Sequence, residues 1–425
     1  MGKKKLRIGI FGLGTVGSGV VELLKRKEGK LGSASFSLEK VVVKNLTKKR
    51  DINLSPEILS INPEDILCNL SIDTVIEVIG GIYPARAFVL QALEKGKNVI
   101  TANKALLATS GSEIFKKAAE KNCYLGVRAS NIAAYRLIES LTNSPSRIEK
   151  LVGIFNGTCN YILTEMEKTG KPLPDLLKEA QSMGYAEADP ADDINGKDTA
   201  HKLVVLLGLT LGCFFPLKSI HVEGIANVSS EDIVFAHELG YKIKLLAIAR
   251  RKEDILEARV HPALVPQDRW LARLAGVENG LEIRDEIGLE IGMQAPGAGK
   301  YPTATAIIED LICIAQGRKL FLSERIPSFN LKPMSEIETK YYLKVYAVDK
   351  AGVLAKIANV FGDHDISIES VIQKKIESKK DNLVPVIMLT HRSREDNIQK
   401  ALRKIKDLPV IKKNPFLIRV EEGIF

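Results

Sequence analysis

Short apolar runs in the first third of the chain are separated by stretches whose apolar positions recur every three or four residues. "LRIGIF" reads as a strand and "TVGSGVVELLKR" as the helix after it; "FSLEKVVV", "IDTVIEVIGG", "NVITAN" and "CYLGVRAS" read as further strands. One intervening helix is punctuated at both ends, by Pro84 at its start and by Gly96 just beyond "FVLQALEK". Strands alternating with helices predict a parallel sheet with helices on its faces. From about Ile132 to Ser323 the pattern shifts to longer helices mixed with alternating strands such as "IEKLVGIF" and "LEARVHPAL". The most apolar stretch, Leu203 to Phe215, is too short to span a bilayer and reads as a buried core helix that Lys202 begins. The polar "SERIPSFNLKPMSEIETK" reads as a linker. After it, Tyr341 to Phe425 runs strand, helix, strand, strand, helix, strand, which is the ferredoxin-like order.

Composition narrows the class. A chain of 425 residues, 45% hydrophobic and 27% charged, has the balance of an ordinary globular protein with two or three cores. Its start shows no apolar run before a small-residue cleavage site, and Leu6 stands where a myristoylation signal wants Ser or Thr. No membrane partner is expected. The five cysteines, Cys68, Cys123, Cys159, Cys213 and Cys313, are scattered without a CxxC pair, which suits reduced thiols in a cytoplasm and offers no metal framework. The net charge of +9 is spread out, and Lys374, Lys375, Lys379 and Lys380 have no interleaved aromatics on which bases could stack. No nucleic-acid partner is expected; a phosphorylated cofactor is the anion that fits.

"GLGTVG", Gly12 to Gly17, satisfies GxGxxG between a strand and a helix. Gly12 permits the tight turn, Gly14 lets the backbone approach a pyrophosphate, and Gly17 lets the helix pack closely. The helix N-terminus offers free N–H groups to the phosphates. The second strand ends "VVVKNLTKKR", so Lys44 and Asn45 stand where an NAD-preferring site carries an acid. The cations there, Lys44, Lys48, Lys49 and Arg50, would attract a 2′-phosphate; NADP is the expected cofactor, with NAD as the alternative.

"YAEADPADDINGKDTAHK", residues 185–202, holds five acidic side chains. As a calcium loop it fails: aligning Gly196 with the obligatory glycine puts Ala191 and Lys202 where carboxylates are required. Zinc or iron would want more histidine than His201 supplies. Asp198 and Lys202 are spaced to share one helix face. That spacing fits a surface ion pair and equally a lysine held beside a carboxylate as a proton donor.

Several motifs together resemble the homoserine dehydrogenases: "GLGTVG", "VIEVIGGIYPAR", "GKNVITANKALLA", "GIFNGTCNYIL", "GYAEADPADDINGKDTAHKLVVL" and "APGAGKYPTATAIIEDL", in order over most of residues 5–320. The C-terminal unit, with "DKAGVLAKIANVFGDHDISIESV", resembles an ACT domain, a module that senses amino acids. The implied architecture is α/β: a Rossmann-type domain over 1–131, an α+β substrate-binding and dimerisation domain over 132–323 whose last helix returns to the first, a linker over 324–340, and a ferredoxin-like ACT domain over 341–425. The implied reaction is reversible hydride transfer from NAD(P)H to L-aspartate 4-semialdehyde, giving L-homoserine. By match to the family motifs, Lys202 is the proton donor, Lys104 lies near substrate and nicotinamide, and Glu187, Asp193 and Asp198 bind the substrate or orient the lysine. Cofactor contacts are expected from Phe11, Gly12, Leu13, Gly14, Thr15, Val16, Gly17, Lys44, Gly80, Lys104 and Gly299. In the family, "NGTCNYIL" concerns packing more than chemistry, and Cys159 reads as a buried apolar residue. Asp189 and Asp192 suit loop solvation or helix capping.

One segment departs from the family. Where Glu-Ala-Ser-Val and then two glycines and a proline are usual, this chain has "RASNIAAYR", with Arg128 for the glutamate, Ala133 and Ala134 for glycines and Arg136 for proline. That glutamate helps to form a monovalent-cation site in the family. Arginine brings its own charge there, so bound sodium is not expected, and no metal is assigned. The departure also motivates a second reading, a non-catalytic sensor of NADP and an amino acid. RNA binding by the C-terminal sheet ranks last, because the strand aromatics of the RNP pattern are missing. Threonine is the expected effector, at Asp349, Gly352, Val353, Leu354 and Ile366, and deletion of residues 335–425 is expected to remove its effect and spare catalysis. The family implies a homodimer, or a homotetramer through ACT pairing.

Overall fold

The computed structural model describes residues 5–26, 30–31, 34–50, 52–130, 146–297, 299–318, 329–373 and 383–422. The chain forms two compact units, one from Met1–Ser146, Ala200–Ser219 and Met293–Ser328, the other from Arg147–Thr199, Ile220–Gly292 and Phe329–Phe425.

In the first unit the strands Lys5–Phe11, Ala34–Val42, Leu59–Ser60, Thr74–Glu77, Asn98–Thr101 and Leu125–Gly126 pair in parallel. Taken in chain order they lie 3-2-1-4-5-6 across the sheet, the arrangement of a dinucleotide-binding fold. The two-residue strand Leu59–Ser60, third in that order, is too short for any periodicity to announce. The expected strands recur with shifted ends: Ala34–Val42 starts two residues before "FSLEKVVV", "CYLGVRAS" contributes only Leu125–Gly126 to the sheet, and Arg128–Ser130 is a 3₁₀ turn. The helix Lys300–Ala315 packs back onto this sheet, its Ala304, Ile307, Ile308 and Leu311 joining Leu6, Ile8, Ile10 and Val20 in one core. Lys300 Nζ lies 2.6 Å from Glu22 Oε1 of the helix Thr15–Arg26.

The apolar helix runs Lys197–Leu211. It begins earlier than the apolar run does, because Asn195 Oδ1 accepts a hydrogen bond from Lys197 N at 3.0 Å. It stops before Phe215, because Gly212 takes φ 71°. Lys202 therefore sits in the second turn and does not begin the helix. Near its end, Gly208 leaves room for Phe214: a Cβ there would lie 2.3 Å from that ring. Among the described residues no helix is long and apolar enough to cross a membrane.

The second unit carries a mixed sheet in the order Glu278–Asp285, Ile148–Ile154, Tyr241–Lys252, Ile255–Pro266, Phe416–Val420, Tyr341–Val348, Leu383–Thr390, Ile368–Gln373. The last four, with helices Val353–Gly362 and Glu395–Lys406, are the expected ferredoxin-like module, and its sheet order by chain position is 4-1-3-2. The module is not a separate appendage. Its final strand joins Ile255–Pro266 in parallel, Ala263 opposite Arg419 and Leu264 opposite Val420. Two shorter strands use the same neighbour: Asn330–Leu331, within the stretch read as linker, and His221–Val222. Burial beneath the two parts remains distinct, with Tyr341, Leu343, Ile357, Phe361 and Ile398 in one core and Val152, Leu246, Ile248 and Leu271 in the other.

Charge crosses the junction between these parts. Lys344 Nζ lies 2.8 Å from Asp232 Oδ1, and Tyr342 donates to the same oxygen at 3.0 Å. Asp232 is fully buried and caps its own helix, Ser230–Glu238, through Ser229. Glu421 is bracketed by Arg250, Lys150 and Arg259 at 2.5, 3.2 and 3.5 Å. Burial opposes its charge, but these three cations hold its carboxyl down at about 2.

Candidate active site

In the first unit the glycine loop is pinned on both sides, Gly12 N donating to Val42 O and Val78 N to Phe11 O, each at 2.9 Å. Gly12 takes φ 102°, and a Cβ there would sit 2.8 Å from Val78 O. A Cβ at Gly17 would sit 2.3 Å from Gly12 O, so this glycine lets the helix Thr15–Arg26 close onto the loop itself. Nothing lies within 4 Å of a Cβ at Gly14, which leaves that backbone open to an incoming group. Phe11 and Leu13 are buried, whereas Gly14 and Thr15 are exposed and Val16 is partly buried at the helix start. The loop and the helix N-terminus have the donor set that a pyrophosphate requires.

Beyond the second strand Lys44 is exposed, as the cofactor reading requires. Arg50 is otherwise engaged: its guanidinium donates to Asn45 O at 2.5 Å and Lys48 O at 2.9 Å and so closes the loop. Gly80 is exposed at φ 73°, just past Thr74–Glu77, and Gly299 takes φ 139° at the start of the helix Lys300–Ala315.

Lys104 is the first residue of the helix Lys104–Glu120, capped by Asn103, whose Oδ1 accepts from Leu106 N at 3.1 Å. A residue that sequence reasoning passed over fixes this corner. Glu77, fully buried, accepts from Thr101 Oγ1 at 2.6 Å and from Ile79 N at 2.9 Å. Burial pushes its carboxyl above the usual carboxylate range despite those bonds. Thr101 Oγ1 in turn accepts from Asn103 N at 3.0 Å, and Asn103 Nδ2 donates to Gly81 O at 2.6 Å. The loops that end two parallel strands are thereby tied to the cap beneath Lys104. The only sequence signal was a lone acid inside the apolar run "TVIEVIG".

Arg128 is buried in the first unit. Its Nη1 donates to Asp310 Oδ1 and, at 2.7 Å, to Tyr124 OH; its backbone N donates to Asp310 Oδ2 at 3.1 Å. Burial pushes the Asp310 carboxyl up to about 6, against the pull of Arg128 and Tyr124. Ala133, Ala134 and Arg136 lie outside the described residues. Among the described residues no group of three or more His, Cys, Asp and Glu could hold a metal ion.

In the second unit the acidic segment is organised by Asn156. Its Nδ2 donates to Asp193 Oδ1 at 2.6 Å and to Asp198 Oδ2 at 3.0 Å, while its Oδ1 caps the helix Gly157–Thr169 by accepting from Cys159 N at 2.8 Å. The "NGTCNYIL" motif therefore does more than pack: its first residue sets two of the predicted carboxylates side by side. An asparagine before Gly-Thr at a helix start was the available signal. Cys159 is buried as expected, with Sγ 3.2 Å from Asp193 O. Asp198 and Lys202, one turn apart on Lys197–Leu211, are 6% and 8% exposed, so they are no surface ion pair. Glu187 stays exposed on the loop. Asp189 Oδ1 accepts from Ala191 N at 3.2 Å in a local turn, and exposed Asp192 lies 3.4 Å from Lys197.

Family profiles match in sequence order: the NAD-binding domain of homoserine dehydrogenase over 12–128, homoserine dehydrogenase over 135–312 and the ACT domain over 341–410. The chain is 38% identical to the homoserine dehydrogenase of Pseudomonas aeruginosa, covering 99% of each chain. With that of Bacillus subtilis the identity is 36%, covering 98% of this chain and 99% of the relative. The crystal structure of a homoserine dehydrogenase from Thiobacillus denitrificans superposes with a TM-score of 0.91 at 36% identity, covering 99% of each chain. The chain belongs to the homoserine dehydrogenase family. It is an oxidoreductase with an NAD(P)-binding domain and an amino-acid-binding ACT domain, and the reading as a non-catalytic sensor is not favoured.

The positions expected to hold an effector flank the start of the helix Val353–Gly362. Here Asp349, Gly352 and Leu354 are exposed, with Gly352 at φ 83°. Val353 and Ile366 point into the module's core, so only their backbone is left for a ligand. Ile366 precedes the strand Ile368–Gln373 and is not part of it.

Proposed function

We propose that this enzyme reversibly reduces L-aspartate 4-semialdehyde to L-homoserine, with Lys202 as the acid that protonates the carbonyl oxygen. The observation that carries the reading is the pair of carboxylates clamped by Asn156, with Lys202 buried one turn beyond Asp198. Asp193 and Asp198, with Glu187, suit a substrate ammonium through charge-assisted hydrogen bonds. The Lys202 ammonium stabilises negative charge developing on the oxygen and then donates its proton to it. A nicotinamide, when bound, supplies the hydride to the aldehyde carbon. Lys104, held by its capped helix start, adds a second positive charge for substrate and cofactor. The exposed Lys44 and the lack of an acid beside it favour NADP over NAD. Arg128, already paired with Asp310, takes the place of a sodium ligand. Threonine is the proposed effector, the assembly a homodimer or homotetramer, and the compartment the cytoplasm, which suits five free cysteines.

The test is NADPH and NADH oxidation with aspartate semialdehyde, with and without millimolar threonine. Lys202→Ala should abolish most turnover while cofactor binding, read by fluorescence titration, persists. No turnover by the wild type with either cofactor would overturn the reading.

A further inference from the structure

The acidic loop that offers Asp193 is not held by Asn156 alone. Its other side rests on the segment Glu223-Gly224-Ile225. Ile225 N donates to Ile194 O at 2.9 Å. A Cβ on Gly224 would lie 1.9 Å from Ile194 O, and one on Gly196 would lie 3.0 Å from Glu223 O. The two backbones are thus in contact over Ile194 to Gly196, immediately between Asp193 and Asp198.

Glu223 is anchored from two directions. Its N–H donates to Val260 O at 2.8 Å, which clips the segment to the strand Ile255–Pro266. Its carboxylate receives His221 Nε2 at 2.8 Å and Arg419 Nη1 at 2.9 Å. Arg419 belongs to the final strand of the ferredoxin-like module, and its guanidinium also donates to Glu395, from Nε at 2.8 Å and from Nη2 at 2.5 Å. Glu395 opens the module's second helix. The Arg419 side chain is only 2% exposed and its contact with Glu395 is shielded from solvent, while the Glu223 side chain is 40% exposed. One buried guanidinium therefore joins a helix of the regulatory module to the backbone that supports a substrate-binding loop.

We propose that Glu223, held by Arg419, is a positioning residue for the Asp193 loop, and that the bridge couples the regulatory module to substrate binding. The inference rests on the reading that Asp193 and Asp198 bind the substrate. Neither Glu223 nor Arg419 touches the reacting atoms; they act through Gly224 and Ile194. Loss of the bridge frees the loop to move and misplaces a carboxylate that grips the ammonium, while Lys202 on its own helix is left as it was. The effect falls on substrate KM and spares kcat.

The test uses the full-length chain and two conservative variants, Glu223→Gln and Arg419→Lys, alone and together. Each should raise the KM for aspartate semialdehyde by roughly fivefold, the loss of one charge-assisted hydrogen bond, with kcat and the NADPH KM changed by less than about twofold. The double variant should be no worse than the poorer single one, because both substitutions cut one connection. Hydrogen exchange of the 193–197 amides should quicken in Glu223→Gln, whose partly exposed side chain leaves folding intact. Unchanged semialdehyde KM in both variants, effects that multiply in the double variant, or unchanged exchange over 193–197 would each overturn the proposal. If the wild type itself does not turn over the semialdehyde, the proposed reaction fails, and the exchange comparison still decides whether Arg419 and Glu223 hold the loop.

Discussion

The carboxylate of Asp198 accepts a hydrogen bond of 3.0 Å from Asn156 Nδ2, and the same amide serves Asp193 at 2.6 Å. One neutral side chain thereby offsets the repulsion of two acids that stand side by side, where the proposed reaction places a substrate ammonium. Asn156→Asp keeps the oxygen that caps Gly157–Thr169 but removes both donors and adds a third acid. Its kcat/KM should fall about tenfold to a hundredfold, since both carboxylates lose the amide's donation and face a third like charge. Asn156→Ala should lose a further ~1 kcal/mol of stability with the cap. Initial rates beside thermal melts separate the two effects, and wild-type kinetics in Asn156→Asp would show that the clamp does not serve the site.

Arg128 and Asp310 form a buried pair that links the sheet edge at Leu125–Gly126 to the helix Lys300–Ala315. Asp310→Asn removes the carboxylate that faces this buried guanidinium and should cost about 3–5 kcal/mol. Removing both charges, as Arg128→Met with Asp310→Asn, should cost clearly less than the single change. Urea unfolding measures each; a penalty below about 1 kcal/mol for Asp310→Asn would show that the pair is no anchor. With this cation in place, turnover should be the same in sodium chloride and in tetramethylammonium chloride of equal ionic strength.

Much of this architecture was legible in the order of apolar runs, because a parallel sheet writes continuous apolar strands between amphipathic helices. The glycine loop was legible too, since each glycine answers a steric demand that the structure repeats at Gly12 and Gly17. The unread features are those that depend on distant partners. Glu77 looked like a lone acid in a strand; its meaning comes from Thr101 and Asn103. Asn156 lay in a motif read as packing, because its acceptors lie far along the chain at Asp193 and Asp198. Periodicity placed Asp198 and Lys202 on one face but could not say that the face is buried. The final strand "FLIRVE" was predicted, yet nothing local says that its outer edge pairs with Ile255–Pro266.

His261 is fully buried on that strand, with Nδ1 2.9 Å from Pro262 O and Nε2 3.2 Å from Arg259 Nε. Burial, and then Arg419 and Arg259, push its pKa well below the ordinary 6.5, so the folded protein keeps the ring neutral. The unfolded chain takes up a proton as pH falls through about 6.5, and the folded chain does not, so stability is lost on acidification. The contribution is at most ~1.4 kcal/mol per pH unit. His261→Gln should flatten the stability profile between about pH 5 and 6.5 relative to wild type; identical slopes would assign the acid sensitivity to other groups.

Removal of residues 335–425 tests whether the regulatory module is separable. A module joined by a linker alone would leave a working enzyme behind. Here its removal strips the strand Phe416–Val420 from Ile255–Pro266 and opens a sheet edge. It also takes Lys344 and Tyr342 from buried Asp232, Arg419 from Glu223, and Glu421 from Arg250, Lys150 and Arg259. Fully buried Asp232 left without Lys344 costs about 3–5 kcal/mol, a large share of the ~5–15 kcal/mol that holds a typical fold together, and the lost strand pairing adds to it. The truncated chain is therefore expected to aggregate or to lose its cooperative melt, and to lack turnover for that reason. Size-exclusion chromatography, circular dichroism melts and the semialdehyde assay on both lengths check this. A truncated protein that melts within a few degrees of the full chain and keeps its turnover would show that the shared sheet is dispensable. Otherwise the effector response has to be dissected by point substitutions at exposed positions such as Asp349 and Leu354, where the module can be altered without opening the sheet.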